Sequence, residues 1–205
     1  MRRVARPDLY FSVDIEADGP IPGPYSMVSL GACVAGTYDG ATFTAIDPEA
    51  HTFYAELKPI SEQWDREALA VSGLSRETLL AEGADPKAAM TGFVTWVEAQ
   101  CATHDRGRAV FAAFPLGFDW LFTYHYLIAY AGRSPFSHGR HIDLKTLFSV
   151  KSGLPIHASV KRGMPKALLG SRAHTHNALD DAQGQADLLA NLMRWTPTPA
   201  PPPGA

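Results

Sequence analysis

The sequence contains only two cysteines, no long apolar run and no excess of positive charge. Cys33 and Cys101 lie in apolar or helical patterns without C-x-x-C spacing, so we expect buried thiols rather than a disulfide or a zinc pair. No segment reaches the ~20 consecutive apolar residues that cross a bilayer, and the start of the chain lacks the apolar stretch of a signal peptide. These absences argue against a disulfide-stabilised or membrane-spanning protein and predict a cytoplasmic one.

Acidic residues are also missing from the interval between Asp143 and Asp180. A net charge of -3 is unlike that of a typical nucleic-acid binder, but a ligand that meets only one face responds to the local charge. The interval is therefore either a phosphate-binding surface or a solvated basic loop. Its charged side chains are Lys145, Lys151, Lys161, Arg162, Lys166 and Arg172.

The length and composition suit one globular domain. The chain has 205 residues, of which 46% are hydrophobic and 19% charged, so it can bury a full core. We expect a flexible N-terminus over residues 1–7 and a folded domain over 8–195. The Pro-rich tail over 196–205 cannot build a core, so we expect it to be disordered.

Strand-like and helical segments follow one another in an order that predicts the fold class. The expected strands are LYFSVDI, MVSLGACVAGTY and HTFYAELKP as a meander, then RAVFAAF, and a short extended piece at the start of HIDLKTLFSV. Helical patterns occupy about 61–80, 85–101, 117–132 and 178–195. Strands first, and then strands alternating with helices, predict an α/β protein with a mixed five-stranded sheet flanked by helices.

Two carboxylates, Asp14 and Glu16, follow the first apolar run at a point where a buried strand would end. Side chains two residues apart on a strand project to the same side, so these two can converge on one point. Two anions held that close repel each other unless a cation, a shared proton or water lies between them. The pair is either a solvated strand end or one part of a binding site.

Further acidic positions occur at the starts of two helices. Asp119 opens the helix after the fourth strand, and HTHNALDDA begins the last helix. If Asn177 is the N-cap, Asp180 lies at N3 and can reach back to the cap, whereas Asp181 points about 100° further round the helix. His176 would lie just before the cap in a loop conformation. Alternatively, both aspartates only complement the helix dipole.

The four candidate carboxylates come from the ends of different elements, which is where open α/β sheets gather their sites. Carboxylates without cysteine suit hard divalent cations such as Mg²⁺ or Mn²⁺. A pair of such ions about 3.5 to 4 Å apart can stabilise the attacking and leaving oxygens of a phosphoryl displacement. A histidine beside them can take a proton from water near neutral pH.

The motifs resemble, in this order, the three exonuclease motifs of the His-containing branch of the DEDD superfamily (DEDDh). They are Asp14-x-Glu16, Asp119 behind the aromatic of GFD, and His176 with Asp181 five residues later. This family includes the proofreading subunit of the bacterial replicative polymerase, ribonuclease T and oligoribonuclease. The likeness covers residues 8–195, and Gly19 and the segment EALAVSGLS match further positions of the family.

The resemblance implies a ribonuclease H-like fold, two divalent cations (Mg²⁺ or Mn²⁺) and release of nucleoside 5′-monophosphates from a 3′ end. It implies that Asp14 bridges both ions and that Glu16 and Asp181 bind the catalytic ion. Asp119 would serve the second ion partly through water, and His176 would activate the attacking water. Some relatives are dimers, so a homodimer stays open.

The chain departs from the family pattern at two places. Pro115 stands four residues before Asp119, where many relatives have Asn, and Ala17–Asp18 replaces the usual threonine pair. Asp18 either contacts a ribose hydroxyl or forms a turn. Leu74 either lies beside the terminal base, by analogy with the family, or packs in the core. The candidate substrate contacts are Asp18, Gly19, Leu74, Lys161, Arg162, Lys166 and Arg172.

The motifs together predict a metal-dependent 3′-to-5′ exonuclease that acts on the 3′ ends of single-stranded DNA or RNA and not at a membrane. The alternative is a non-catalytic nucleic-acid-binding or scaffold protein on the same fold. Such a protein has no physical need for four mutually repelling carboxylates. A third hypothesis is an adaptor that acts through the Pro-rich tail. The sequence does not decide between DNA and RNA as the substrate, or between long and short substrates.

Overall fold

The computed structural model describes residues 6–172 and 175–197, so most of the predicted flexible N-terminus and Pro-rich tail lies outside the described residues. The strands are β1 (Asp8–Ala17), β2 (Met27–Tyr38), β3 (Phe43–Ala45), β4 (Thr52–Glu56), β5 (Arg108–Ala113) and β6 (His141–Asp143). The α-helices are α1 (Arg66–Ser72), α2 (Arg76–Glu82), α3 (Pro86–Thr103), α4 (Leu116–Tyr126), α5 (Leu144–Ser152), α6 (Lys166–Leu169) and α7 (Ala178–Arg194).

The strands form one mixed sheet. β1 pairs antiparallel with β2 and parallel with β5, and β6 continues the parallel side next to β5. β3 and β4 both pair antiparallel with β2, at different positions along it. This mixed sheet, flanked by helices, confirms the predicted fold class.

The sheet has a sixth strand that the sequence analysis did not predict. β3 is three residues long and pairs with Gly36–Tyr38 at the end of β2, after a turn in which Asp39 accepts hydrogen bonds from the backbone of Ala41 and Thr42. Three residues are too few for alternation to be recognised in a sequence. The fold class is unchanged by this addition.

Alternation along β1 separates the core into two layers. Leu9, Phe11, Val13 and Ile15 pack against α3 and α4 in one hydrophobic cluster. Tyr10 faces the other side, where α5, α6 and α7 form a second cluster. The residues that continue this second register are Ser12, Asp14 and Glu16. The alternation of β1 therefore turns both carboxylates toward the face that α7 covers.

Two predictions of absence concern the cysteines and the membrane. Cys33 is buried, Cys101 is partly buried, and neither forms a disulfide, as expected from their apolar surroundings. Among the described residues, no helix combines the length and the apolarity that a bilayer crossing requires.

Candidate active site

The end of β1 is held in place by the carboxylate of Asp119. The parallel register of β1 with β5 ends at the pair Ser12 and Ala112, so β1 extends beyond its neighbour. The backbone N–H of Ile15 donates instead to Oδ1 of Asp119 at 3.1 Å. Because Ile15 lies between Asp14 and Glu16, this bond fixes the backbone that carries both carboxylates.

The start of α7 has the cap that the sequence predicts. Asn177 is the N-cap, and its Oδ1 accepts from the backbone N–H groups of Leu179 and Asp180. Asp180 accepts from the Thr175 hydroxyl at 3.0 Å rather than from the cap backbone, and its side chain is exposed. Asp180 therefore stabilises the turn before the helix, as expected, but through a different partner.

Asp181 points inward from the same helix start. Its side chain is buried at 3% exposure, and its two oxygens accept from the backbone N–H groups of Thr175 (3.2 Å) and His176 (3.0 Å). His176 adopts a φ of 58°, in the left-handed region that non-glycine residues seldom occupy. The strained turn places the His176 side chain and the Asp181 carboxylate at one site.

A glycine on β2 allows this helix start to approach the sheet. Gly31 pairs with Asp14 in the sheet. A Cβ at Gly31 would lie 2.2 Å from the carbonyl carbon of Ala178 and 2.3 Å from the backbone N of Leu179, well inside contact distance. Only a residue without a side chain lets the first turn of α7 lie directly over β2, and so lets Asp181 reach the carboxylates of β1.

The predicted motif residues meet at this point. Potential ligand atoms of Glu16, His176 and Asp181 lie within 4.8 Å of one another. Asp14 and Asp119 complete the group from β1 and α4; Asp119 is buried and Asp14 is partly buried. The structure therefore brings together all five residues that the three motifs supply.

Burial and like charge raise the pKa values of these carboxyl groups. Burial raises the pKa of Asp14 well above its ordinary value, and three neighbouring carboxylates raise it further: Asp119, Asp181 and Glu16. Burial and then Asp181 raise the pKa of Glu16 to about 7. Burial also raises the pKa of Asp119, against the opposing hydrogen bond from Ile15. A divalent cation would relieve this repulsion, so the donor set fits Mg²⁺ or Mn²⁺.

Gln185 is a buried partner of Asp14 that the sequence analysis missed. It lies one turn after Asp181 on α7, is 1% exposed, and its Nε2 donates to Oδ1 of Asp14 at 2.5 Å. Its Oε1 is buried without a hydrogen-bond partner in the described part of the chain. A helix repeat of 3.6 residues places positions 181 and 185 on one face, which was the available signal. For Gly31 the sequence carries no such signal, because the close approach of helix and strand is tertiary.

Lys161 is the cation of the acid-free interval that lies beside the carboxylates. Its charge opposes the rise in the pKa of Asp14 and of Asp119, and its Nζ lies 5.5 Å from the centre of the Phe114 ring. A cavity of about 220 Å³ is lined by Lys161, Arg162 and Asp181 among others. Positive charge therefore borders the carboxylates on this side.

The other cations of the interval have different surroundings. Arg162 and Lys166 are exposed. Lys151 donates to the backbone carbonyl of Leu192, at the end of α7. The basic interval is thus divided between surface positions and contacts within the protein.

Arg172, a predicted phosphate contact, forms two ion pairs within the protein. Its guanidinium pairs with Glu49 at 2.9 Å and with Asp187 at 3.1 Å, although it also lines the cavity beside Asp181. Two carboxylates compensate its charge, so it ties the segment before the third motif to α7. Sequence spacing gave no sign of Glu49, which lies 123 positions away.

Asp18 and Gly19 are also structural. Asp18 has no exposed surface, and its oxygens accept from the Ser26 backbone at 2.5 Å and from Arg76 at 3.0 Å. It therefore cannot contact a ribose here, and the turn interpretation holds. Gly19 is buried, and a Cβ at this position would lie only 2.0 Å from an atom of the Tyr25 ring. The predicted substrate contacts at these two positions are replaced by packing.

Leu74 and Pro115 complete the comparison with the sequence. Leu74 is half-buried against the cluster of Val28, Leu69 and Leu79, which supports the packing alternative. Pro115 precedes the first residue of α4 and supplies no side-chain cap. Asp143 provides one instead, since its Oδ1 accepts from the backbone N–H of Leu116 at 3.0 Å.

Comparison with known proteins supplies relatives for this arrangement, although no protein-family model matches the chain. The 3′-5′ DNA exonuclease Cap18 of Escherichia coli is 35% identical over 182 residues, which cover 89% of this chain and 90% of Cap18. The nuclease domain of 3′hExo, a DEDDh family member bound to rAMP, has a TM-score of 0.65 at 13% identity, and covers 93% of this chain and 94% of that one.

Two larger proteins share the fold over part of their length. The 3′-exonuclease that recognises the histone mRNA stem-loop has a TM-score of 0.68 at 11% identity, with 92% of this chain and 64% of that one covered. E. coli exonuclease I in complex with a dT13 oligonucleotide has a TM-score of 0.61 at 13% identity, with 91% of this chain and 41% of that one covered. This chain thus spans less than two thirds of each.

The fold and the grouped motif residues define the class of protein as a 3′-5′ exonuclease. The 35% identity with Cap18 extends over almost the whole of both chains, so the two proteins belong to one family. The chain belongs to the family of 3′-5′ exonucleases that includes Cap18, and its fold is shared with the DEDDh exonuclease 3′hExo.

Proposed function

We propose that the protein is a metal-dependent 3′-to-5′ exonuclease that releases nucleoside 5′-monophosphates from the 3′ end of single-stranded DNA. The observation that carries this proposal is the meeting of Glu16, His176 and Asp181 within 4.8 Å, beside the partly buried Asp14 and the buried Asp119. DNA is the proposed substrate because the relative that is 35% identical is named a DNA exonuclease.

The carboxylates are proposed to hold two divalent cations, Mg²⁺ or Mn²⁺. Asp14, Glu16 and Asp181 would bind them directly, and Asp119 partly through water. When bound, such ions stabilise both the attacking and the leaving oxygen of an in-line phosphoryl displacement. Without an ion, burial and nearby carboxylates raise the pKa values of Asp14, Glu16 and Asp119, so ion binding should also release protons.

His176 is proposed to be the general base. Its imidazole is exposed and has a ring nitrogen within 4.8 Å of an oxygen of Glu16 and of Asp181, so it borders the site from the solvent side. Hard divalent cations prefer oxygen ligands, which favours a proton-accepting role over a ligand role for this side chain. The backbone N–H of His176 donates to Oδ2 of Asp181, and this bond holds the turn that carries the imidazole.

Gln185 and Lys161 would assist the carboxylates in different ways. The Gln185 amide donates to one oxygen of Asp14 and so fixes the orientation of the carboxylate. Lys161 would contact phosphate oxygens of the bound strand, because it lies beside the carboxylates with its charge directed at them.

The test is hydrolysis of matched 5′-labelled single-stranded DNA, single-stranded RNA and duplex DNA with Mg²⁺ or Mn²⁺. We expect stepwise shortening from the 3′ end of single-stranded DNA, release of nucleoside 5′-monophosphates, and no activity in chelator. Asp14→Asn should be inactive, and His176→Ala should lower kcat by about 10²- to 10⁴-fold. Binding without hydrolysis by the wild-type protein would instead establish the scaffold alternative. Faster cleavage of RNA would reassign the substrate.

A further inference from the structure

A second cavity lies at the opposite end of the sheet from the carboxylates. Its volume is about 250 Å³, and four arginines line it: Arg6, Arg106, Arg108 and Arg140. They come from the segment before β1, from the turn after α3 together with the first residue of β5, and from the loop before β6. In a chain of net charge -3, this is a local concentration of positive charge built from three separate segments.

These four guanidinium groups are not compensated by carboxylates of the described residues. Among the described residues, the arginines that form ion pairs are Arg76, Arg133 and Arg172. Glu98 is the acidic residue in the cavity wall, and both its oxygens bond to the exposed Arg133. The cavity therefore keeps a net positive charge that an anion can meet.

The backbone of the turn is shaped to present two of the arginines. Asp105 and Arg106 have φ values of 51° and 54°, so two consecutive non-glycine residues occupy the left-handed region. Gly107 follows them and is buried. A Cβ at this position would lie 2.9 Å from the Leu9 side chain, so a glycine suits this close approach. A tight turn of this kind projects Arg106 and Arg108 from a fixed backbone.

The lining selects a phosphate backbone rather than a base. Arginine forks match phosphate oxygens, and the apolar floor is formed by small groups such as Val97 and Pro135. Among the lining residues none carries an aromatic ring on which a base could stack. The chemistry is thus that of sequence-independent contact with phosphates.

We infer that the arginine cavity is a second phosphate-binding site, which holds the nucleic-acid backbone at a distance from the 3′ end under hydrolysis. The inference rests on the proposed exonuclease function. Asp8 pairs with Arg108, and β1 then runs six residues to Asp14, roughly 20 Å at about 3.3 Å per residue. A single strand of several nucleotides is needed to cover this distance, because a dinucleotide contains only one internucleotide phosphate. A long substrate can reach both sites, and a dinucleotide cannot.

The test uses a triple variant, Arg6→Gln with Arg106→Gln and Arg108→Gln, because these three side chains are exposed. A control variant removes equal charge elsewhere on the surface, at Lys58, Lys87 and Arg194. Binding is measured in chelator by fluorescence anisotropy with single-stranded DNA of about 30 nucleotides across a salt series. Hydrolysis is measured separately on that strand and on a dinucleotide.

We expect the arginine variant to bind the long strand at least about tenfold more weakly. The slope of the logarithm of the binding constant against the logarithm of the salt concentration (the salt slope) should be smaller in magnitude by about 2. The ratio of kcat/KM for the long strand to that for the dinucleotide should fall by a similar factor. The control variant should lose much less. Equal affinity and salt slope in the arginine variant and the control would overturn the inference.

Two further outcomes are informative. If inorganic pyrophosphate raises the Tm of the wild type but not of the arginine variant, while strand binding is unchanged, the cavity takes free phosphates and the backbone contact is wrong. If the wild type hydrolyses nothing yet binds long DNA through these arginines, the second site stands and the proposed exonuclease function fails.

Discussion

At the scale of single residues, like charges concentrate in a small buried volume beside Lys161. Asp119 is buried and Asp14 is partly buried, and each has a raised pKa. Lys161 lowers both values, but burial and the neighbouring carboxylates outweigh it. The metal-free protein therefore carries a repulsion whose size depends on pH, and divalent cations should remove it.

The pH dependence of stability follows from these raised values. A carboxyl group whose pKa is raised in the folded state keeps its proton to a higher pH there than in the unfolded chain. Its contribution to the stability of the folded protein is therefore lost as pH rises through the folded-state pKa. For Glu16 that pKa is about 7. In chelator, Asp14→Asn should therefore have a higher Tm than wild type, and the difference should grow from pH 5 to pH 8.

Mg²⁺ provides the control for this prediction. It should raise the Tm of wild type at pH 8 and have a smaller effect on Asp14→Asn, which loses the negative charge and one of the two carboxylate oxygens. A Tm difference that shrinks as pH rises would contradict the assignment of the repulsion to Asp14.

Asp180 and Asp181 are adjacent in sequence but should respond differently to the same change. Asp181→Asn removes the charge of a proposed metal ligand, and should lower activity by more than the roughly 10- to 100-fold that outer partners of a metal site contribute. Asp180→Asn alters an exposed bond to Thr175 and should cost about 1 kcal/mol or less of unfolding free energy. Steady-state kinetics and chemical denaturation of both variants check this. Equal losses of activity would show that Asp180 also belongs to the site.

Gln185 should tune metal binding through Asp14. Replacing it with Leu removes the donor to Oδ1, and we expect the Mg²⁺ concentration for half-maximal thermal stabilisation to rise about 10- to 100-fold. Gln183→Leu is the matched control on the same helix, since Gln183 bonds to Arg172 and to the Pro48 carbonyl instead. The same Mg²⁺ requirement in both variants would limit Gln185 to packing.

At the scale of elements, the site depends on how α7 lies on the sheet. The sequence predicts that Asp14 and Glu16 share one face of β1 and that Asn177 caps α7, because alternation and capping are local properties. It also predicts the order of the motifs. It does not predict that Arg172 pairs with Glu49 or that Asp18 pairs with Arg76, since these contacts join segments that are distant in sequence. Local patterns thus identify the candidate ligands, and tertiary packing decides which neighbours support them.

Gly31 tests the contact between α7 and β2. Gly31→Ala places a methyl group against the backbone of Ala178, so we expect a loss of about 1 to 3 kcal/mol in unfolding free energy and a displaced helix start. Activity and Mg²⁺-dependent stabilisation should fall together, because Asp181 moves with the helix. Gly117→Ala is the control, since a Cβ there meets nothing within 4 Å. Full activity of Gly31→Ala would show that α7 tolerates the shift.

At the scale of the whole molecule, positive charge is distributed unevenly over a chain whose net charge is -3. The acid-free interval borders the carboxylates through Lys161 and Arg162, and the arginine cavity lies at the other end of β1. Local positive charge attracts a phosphate backbone even though the molecule as a whole repels it weakly. Salt should therefore act more strongly on long substrates, which meet both surfaces.

The acid-free interval gives the last prediction. Changing Lys161, Arg162 and Lys166 together to Gln should raise KM for long single strands more than for dinucleotides, and reduce the salt slope by about 2, near 0.7 per phosphate contact. His176→Ala should instead lower kcat with little change in binding, because water activation is needed mainly in the transition state. The variant altered at Lys58, Lys87 and Arg194 has the same net charge as the triple variant and serves as the control. If the triple variant and this control show the same KM and salt slope, the interval is a solvated loop and the phosphates are held elsewhere.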